Sequence, residues 1–250
     1  MGILVGTSGW QYDDWRGPFY PPGLPRPQWL AYYFAHFQTV EINATFYRLP
    51  SRAVVSRWAA QAPPDAVFTI KASRFLTHVR RLQEPEEPVR RMEDVLAPLG
   101  ARLGPVLLQL PPTLAAVPGA LDRALAAFPS NRRVAVEPRE RSWFSSEVRD
   151  VLVAHGAALV WADRRNHATG PLWQTADWGF VRFHEGVASP RPSYGTAALT
   201  TWFNRVTTTW SASQDVYVYF NNDPGGVAIR NASTFARVAA RAGWPVSRTP

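Results

Sequence analysis

Residues 179–184, Gly-Phe-Val-Arg-Phe-His, contain the pattern that decides the fold. Side chains alternate across a β-strand, so Val181 and Phe183 share one face while Arg182 and His184 share the other. A short run of β-branched and aromatic residues with this alternation predicts a strand with one apolar face. The polar face ends in His184, which places a titratable group at the carboxyl end of the strand.

The same alternation occurs in five further runs, each with polar groups at the end of its second face. Eight strand-like runs are predicted in all, at residues 3–7, 39–43, 67–71, 106–110, 133–137, 158–163, 179–184 and 216–220. Helical patterns lie between most of them, at residues 28–37, 52–60, 89–96, 120–127, 146–155, 197–207 and 228–242. Residues 164–178 show at best a weak helical pattern.

Strands that alternate with helices over 250 residues predict an α/β fold, a single-domain (β/α)8 TIM-like barrel over residues 1–250. A doubly wound open sheet is the alternative, and it commonly has a GxGxxG turn after its first strand. Here the first strand continues into Gly6-Thr7-Ser8-Gly9-Trp10, which lacks that spacing. The barrel is therefore preferred, and its active site is expected where the strands end.

Composition limits the class of protein. Hydrophobic residues make up 46% and charged residues 18% of the chain, which is enough for a real core. Without cysteine there are no disulfides, thiolate zinc sites or cysteine nucleophiles. No run is long enough to span a bilayer and no leader is recognisable, so we expect a cytoplasmic protein with no membrane contact. The net charge of +8 favours an anionic partner, either a small molecule or nucleic acid.

The polar strand ends define the candidate site. We expect Glu41, Lys71, Glu137, Asp163 and His184 to be catalytic. The expected substrate-binding residues are Asn43, Gln109, Arg139, Arg182 and Asn221 at the strand ends, with the loop aromatics Trp10 and Tyr47. Carboxylates and an imidazole in one small mouth suit general acid–base catalysis, with the cations holding negative charge. A buried ion-pair network that only fills the barrel is the alternative.

Lys71 is the only lysine among 27 basic residues. It could hold an anionic substrate as a compact charge, or act as a Schiff-base nucleophile.

Glu41, Glu137, Asp163 and His184 could instead bind a divalent metal, but neighbouring cations would oppose it. We therefore expect no resident cofactor and no zinc, with a weakly held Mg²⁺ or Mn²⁺ as the most that this ligand set allows.

Several motifs in chain order resemble the YecE-like family, domain of unknown function number 72. They are Gly6-Thr7-Ser8-Gly9-Trp10, Val40-Glu41-Ile42-Asn43, Leu107-Leu108-Gln109-Leu110-Pro111-Pro112, Arg182-Phe183-His184 and Phe220-Asn221-Asn222-Asp223. The resemblance implies a (β/α)8 barrel, likened to endonuclease IV-type and isomerase-type barrels, and no settled reaction. The chain departs from the family's pattern at residues 138–141 and at Glu185, which follows His184 in place of the family's glycine.

Together these observations predict an enzyme, a hydrolase or lyase, acting by acid–base chemistry on a phosphorylated or nucleic-acid substrate. Two alternatives stay open: a nucleic-acid-binding protein without catalysis, and a metal-dependent hydrolase similar to endonuclease IV.

Overall fold

Strands and helices alternate along residues 2–250, the part of the chain described by the computed structural model. The strands are β1 Ile3–Ser8, β2 Thr39–Ile42, β3 Val67–Lys71, β4 Leu103–Gln109, β5 Val134–Glu137, β6 Ala158–Leu159, β7 Trp161–Arg164, β8 His167–Ala168, β9 Gly179–Glu185 and β10 Val216–Phe220. The α-helices are α1 Trp29–His36, α2 Ala44–Tyr47, α3 Arg52–Gln61, α4 Glu86–Leu96, α5 Pro118–Ala126, α6 Ser146–Ala154, α7 Thr196–Thr209 and α8 Val227–Arg241.

The sheet is parallel except for one short hairpin, and it closes into the predicted (β/α)8 barrel. Its strand order is β6-β5-β4-β3-β2-β1-β10-β9-β7-β8. The two ends of this order meet because β6 and β7 are halves of one strand, separated by Val160. The first half pairs with β5, and Val160 continues that pairing by donating its amide to the carbonyl of Val136. The second half pairs with β9 instead, so this split strand forms the seam of the barrel.

The helices begin where local chemistry favours a start. Ser51 caps α3 by accepting the amide of Val54, and Ser145 caps α6 by accepting the amide of Val148. Pro118 occupies the first position of α5, where a missing amide hydrogen costs nothing. All seven predicted helical segments form helices, with ends within a few residues of those predicted.

Two apolar layers separate the helices from the polar mouth. The outer layer packs the strands against the helices and includes Val181 and Phe183. The inner layer fills the barrel with side chains such as Leu107, Phe180 and Tyr219. The Tyr219 hydroxyl bonds the Thr39 and Thr69 hydroxyls, at 2.6 and 2.7 Å. The barrel is therefore packed below, and the polar side chains lie at the carboxyl ends of the strands.

Residues 164–178, where the sequence showed at best a weak helical pattern, form no helix. Instead β8 folds back antiparallel to β7, and an irregular stretch then leads to β9. This hairpin and the stretch after it become one wall of the mouth. Within residues 2–250, no helix combines the length and hydrophobicity that crossing a bilayer requires.

Candidate active site at the mouth of the barrel

The Arg182 guanidinium occupies the centre of the mouth and is almost fully buried, with 1% of its surface exposed. Its Nη2 donates to Glu41 Oε1 at 2.6 Å, and its Nη1 donates to Glu137 Oε2 at 2.5 Å. The three side chains come from β9, β2 and β5, so the ion pairs cross the barrel. Charge-assisted hydrogen bonds of this kind offset the cost of burying three charges.

His184 is held in place by the same carboxylate. Its Nε2 lies 2.8 Å from Glu137 Oε1, and its Nδ1 lies 3.2 Å from Asn221 Nδ2. Burial lowers the pKa of His184 and outweighs the opposing effect of Glu137. The ring is therefore neutral at neutral pH. Nε2–H then donates to Glu137, which leaves Nδ1 as the basic nitrogen.

Glu137 stays ionised although it is buried. Burial alone would raise its pKa, but Arg182, followed by His184 and Arg139, holds the pKa of Glu137 well below its ordinary value. Arg139 Nη2 lies 3.1 Å from Glu137 Oε1. A carboxylate with so low a pKa does not take up protons near neutral pH, so Glu137 is suited to orienting His184.

Gln109 completes the cation-rich side of this group. Its Oε1 lies 3.4 Å from Arg139 Nη2 and 3.5 Å from Arg182 Nη1, both long contacts.

Lys71 lies beside this network but outside it. Its Nζ makes no hydrogen bond or ion pair with any part of residues 2–250 and sits 4.3 Å from the centre of the Phe46 ring. Burial, and then the charge of Arg182, lowers the pKa of Lys71 to about 8. A substantial part of this amine is therefore neutral near physiological pH.

Three side-chain oxygens near the ends of β1 and β2 have no hydrogen-bond partner within residues 2–250. They are Ser8 Oγ, Glu41 Oε2 and Asn43 Oδ1, and all three are buried. Buried polar atoms are normally satisfied by hydrogen bonds, so these three oxygens are open to partners outside the protein, such as water or a ligand. Ser8 was missed from the sequence because β1 was not included in the alternation argument.

A cavity of about 950 Å³ opens from Glu137 and His184 toward the loops after β5 and β7. Its charged lining includes Arg139, Arg141 and Arg164, and the aromatic rings of Phe144 and Trp173 contribute apolar surface. The volume is within the range of pockets that hold small molecules. Arg164 and Trp173 could not be recognised from the sequence, since residues 164–178 have no strong periodicity.

Asp163 does not reach the mouth, contrary to the sequence-based prediction. It pairs with Phe183 across the sheet and so shares the outward face. Its carboxylate accepts from Trp202 Nε1 at 2.8 Å and from the amide of Asn166 at 3.1 Å. Asp163 therefore connects the sheet to α7 and is not positioned to act with Glu137.

The two predicted aromatic contacts also lie apart from the polar group. Trp10 is buried in the core, where it packs edge-to-face on Trp58 with ring centres 5.7 Å apart. Tyr47 is 74% exposed on the outer rim, and its ring contacts that of Phe46, which in turn faces Lys71. Trp10 thus belongs to the packing of the barrel wall, whereas Tyr47 is free to meet a large ligand.

The acidic side chains of the mouth do not form a metal site. Within residues 2–250, no three histidine, aspartate or glutamate side chains come together in a metal-binding group. Glu41 and Glu137 are both bound to Arg182, whose charge would oppose a cation between them. The donor set therefore does not fit a divalent ion.

Comparison with known proteins identifies the family. The sequence profile of "Protein of unknown function DUF72" matches residues 4–250. The chain belongs to the DUF72 family. Among relatives of this DUF72 protein, UPF0759 protein YunF of Bacillus subtilis is 26% identical over 92% of both chains. UPF0759 protein YecE of Escherichia coli K12 is 33% identical over 57% of this chain and 50% of its own. The family suggested by the sequence motifs is thus confirmed.

A crystal structure of a DUF72 family protein, TM1631 from Thermotoga maritima MSB8, superposes with a TM-score of 0.83. It is 29% identical, and the match covers 96% of this chain and 100% of that one. The similarity supports the barrel fold and its closure.

Proposed function

We propose that this DUF72 protein is an enzyme that binds a phosphorylated substrate in the mouth cavity and acts on it by acid–base chemistry. One observation carries the proposal: a neutral imidazole, oriented by an ionised carboxylate, lines a cavity whose other charged groups are three arginines and Glu140, a net positive set. A network that only filled the barrel would need neither the cavity nor an imidazole at its edge.

In this proposal the arginines bind the anionic group of the substrate. Arg141 and Arg164 are exposed on the cavity wall, and Arg139 lies against Glu137 with 29% of its side chain exposed. Arginine suits phosphate because its planar guanidinium can donate two parallel hydrogen bonds. The phosphorylated end therefore lies toward the loops, and the rest of the substrate reaches His184.

His184 is the group that accepts a proton. Glu137 holds Nε2–H, so Nδ1 is free to act once a substrate hydroxyl replaces its 3.2 Å contact with Asn221. The acceptors Glu41 Oε2 and Asn43 Oδ1 would then bind hydroxyl groups on the same substrate. A positioned acid or base contributes about 100- to 10,000-fold to a rate.

The test begins with a screen of sugar phosphates, phosphoesters and abasic DNA. For the substrate that emerges, we expect His184→Asn and Glu137→Gln each to lower kcat/KM by about 100-fold or more. Arg164→Gln should raise KM, whereas Arg237→Gln, an exposed arginine on α8, should change nothing. Full activity in His184→Asn would remove this residue from the mechanism.

Binding of single-stranded nucleic acid without catalysis is the second candidate, and the outer rim favours it. Tyr47 and Phe75 are 74% and 42% exposed, and the Arg80 guanidinium lies 5.3 Å from the Phe75 ring. Arg48 lines the same surface groove as Phe75. Exposed rings beside arginines can stack on bases while the cations meet phosphates.

Affinity for a single strand should then fall steeply with salt, with a log–log slope of about −0.7 per neutralised phosphate. Tyr47→Ala should weaken binding by about 1–3 kcal/mol if a base stacks there. The matched control is Val153→Ala, a comparably exposed apolar residue on α6. No binding at low salt would eliminate this candidate and leave the small-molecule enzyme.

A further inference from the structure

Lys71 differs from the other cations of the inner mouth. Arg182 is paired with Glu41 and Glu137, and Arg139 is paired with Glu137. The Lys71 amine has no acceptor within residues 2–250 and faces the ring of Phe46 at 4.3 Å. A lysine that served only to balance charge would lie against a carboxylate, and both carboxylates of the network already bind Arg182.

The surroundings of this amine disfavour its protonated form. Lys71 is partly buried, and the nearby charges of Arg182 and Arg139 oppose a further positive charge. Glu41 and Glu137 act in the opposite direction, but burial and the cations prevail and bring the pKa to about 8. Desolvation together with neighbouring cations is how lysine becomes a nucleophile in enzymes.

The choice of residue points the same way. Lys71 is the only lysine in a chain that uses arginine at every other basic position. Arginine could serve as a clamp for an anion, since it stays charged and donates more hydrogen bonds. Arginine cannot provide a primary amine that loses its proton near neutral pH, whereas a buried lysine can.

We propose that Lys71 forms an imine with the carbonyl group of a phosphorylated aldehyde or ketone. The idea rests on the proposed function, because the arginine-lined cavity would hold the phosphate of this substrate. Lys71 does not line that cavity, so the carbonyl end of the substrate would extend beyond it, past Glu137, to reach the amine. The nitrogen lone pair attacks the carbonyl carbon, and the C=O π electrons move to oxygen, which takes up a proton while nitrogen loses one. Loss of water from this carbinolamine then breaks the C–O bond and forms the C=N bond.

The imine needs no oxidant, reductant or metal. Once protonated, it withdraws electrons from a bond to the neighbouring carbon, so that His184 can remove a proton there. The reaction class is therefore a lyase or isomerase step at a carbon next to a carbonyl group.

The experiment uses the single lysine, which leaves the N-terminal amine as the only other primary amine of the chain. Wild-type protein is incubated with pyridoxal 5′-phosphate, or with ribose 5-phosphate, and reduced with sodium cyanoborohydride. Intact mass and peptide mapping then locate the adduct. We expect a single adduct on the peptide that contains Lys71, and its loss in Lys71→Arg and Lys71→Gln, whose folding is checked by circular dichroism.

The rate of labelling provides the second readout. A pKa of about 8, against about 10.4 for free lysine, gives about 200-fold more neutral amine at pH 7. Labelling should therefore be at least about tenfold faster than that of Nα-acetyl-lysine, after allowance for lower intrinsic nucleophilicity. A rate equal to that of the free amino acid, or an adduct at the N-terminus alone, would overturn the proposal.

A comparison of aldehydes separates this inference from the proposed function. Pyridoxal and pyridoxal 5′-phosphate have the same carbonyl group and differ in the phosphate. Faster labelling of Lys71 by the phosphorylated compound, suppressed by inorganic phosphate, supports both ideas. Equal labelling by the two aldehydes would support imine formation at Lys71 and overturn the proposed anion site. Absence of a Lys71 adduct, with phosphate binding intact by calorimetry, removes the imine and keeps the anion site.

Discussion

Replacing Arg182 with Met removes the cation that Glu41 and Glu137 share inside the barrel. Both carboxylates are almost fully buried, so neither can recover its hydration where it stands. Removing one partner of a buried ion pair costs about 3–5 kcal/mol, because an uncompensated charge is left behind. At about 2–4 °C per kcal/mol for a domain of this size, a loss of 4 kcal/mol lowers Tm by about 8–16 °C.

The pH dependence of this loss follows from Glu137. In the wild-type protein its folded pKa lies below the unfolded value, so its contribution is present at neutral pH and is lost as pH falls toward the folded pKa. Without Arg182, burial raises that pKa and the folded variant takes up a proton. The difference in unfolding free energy should be largest near about pH 7 and shrink toward about pH 5.

Equilibrium unfolding in urea at these two pH values measures the difference. Arg237→Met is the control, because it removes an exposed arginine from α8. The double variant Arg182→Met/Glu137→Gln should be more stable to unfolding than Arg182→Met by at least about 1 kcal/mol, since it retains only one of the two uncompensated buried charges. A loss below about 1 kcal/mol at pH 7, or the same loss at pH 5, would refute the reasoning.

Three further predictions concern metal, pH and backbone. Protein purified without chelator should contain no stoichiometric zinc by elemental analysis; one zinc ion per chain would instead favour a metal-dependent hydrolase. Burial, and then Asp14, raises the pKa of Asp223 to about 7, so its ionisation lowers stability as pH rises through that value. Asp223→Asn should therefore flatten the change in urea midpoint between about pH 5 and 8, and an unchanged slope would contradict this. Gly9 has φ +97°, and an added Cβ would lie 2.6 Å from the Tyr12 hydroxyl. Gly9→Ala should cost about 1–3 kcal/mol in thermal unfolding, whereas a change under 0.5 kcal/mol would show that the loop adapts freely.

Alternation along the strands was enough to predict the core of the site. Glu41, Glu137, Arg182 and His184 meet in the mouth because side chains repeat every two residues and parallel strands end at one edge. The prediction for Asp163 took account of its position at the end of a strand but not of the face of the strand on which its side chain lies. Ala158, Val160 and Ala162 occupy the inward positions of that strand, so Asp163 falls outside.

The cavity wall could not be predicted in the same way. Arg164 and Trp173 belong to a segment with no repeating pattern, and their position depends on the β7–β8 hairpin folding back. The unpartnered state of Lys71 is likewise a property of the assembled mouth. Within residues 2–250, Lys71 lacks a carboxylate partner because Arg182 binds both Glu41 and Glu137. These residues come from separate strands, so no single stretch of sequence predicts the arrangement.

The charged network has a second role at the seam beside Val160, where it helps to hold the barrel closed. Glu137 ends β5, and Arg182 and His184 lie on β9, so these contacts join the two strands on either side of the split strand. Hydrogen exchange in residues 158–164 should therefore report on the chemistry of the mouth, and a loosened network should speed it. A site that also holds its scaffold closed resists remodelling at its centre. Under the proposed function, new substrate preferences are more readily acquired in the segments at residues 138–144 and 165–173, which line the cavity and make none of the side-chain contacts between β5 and β9.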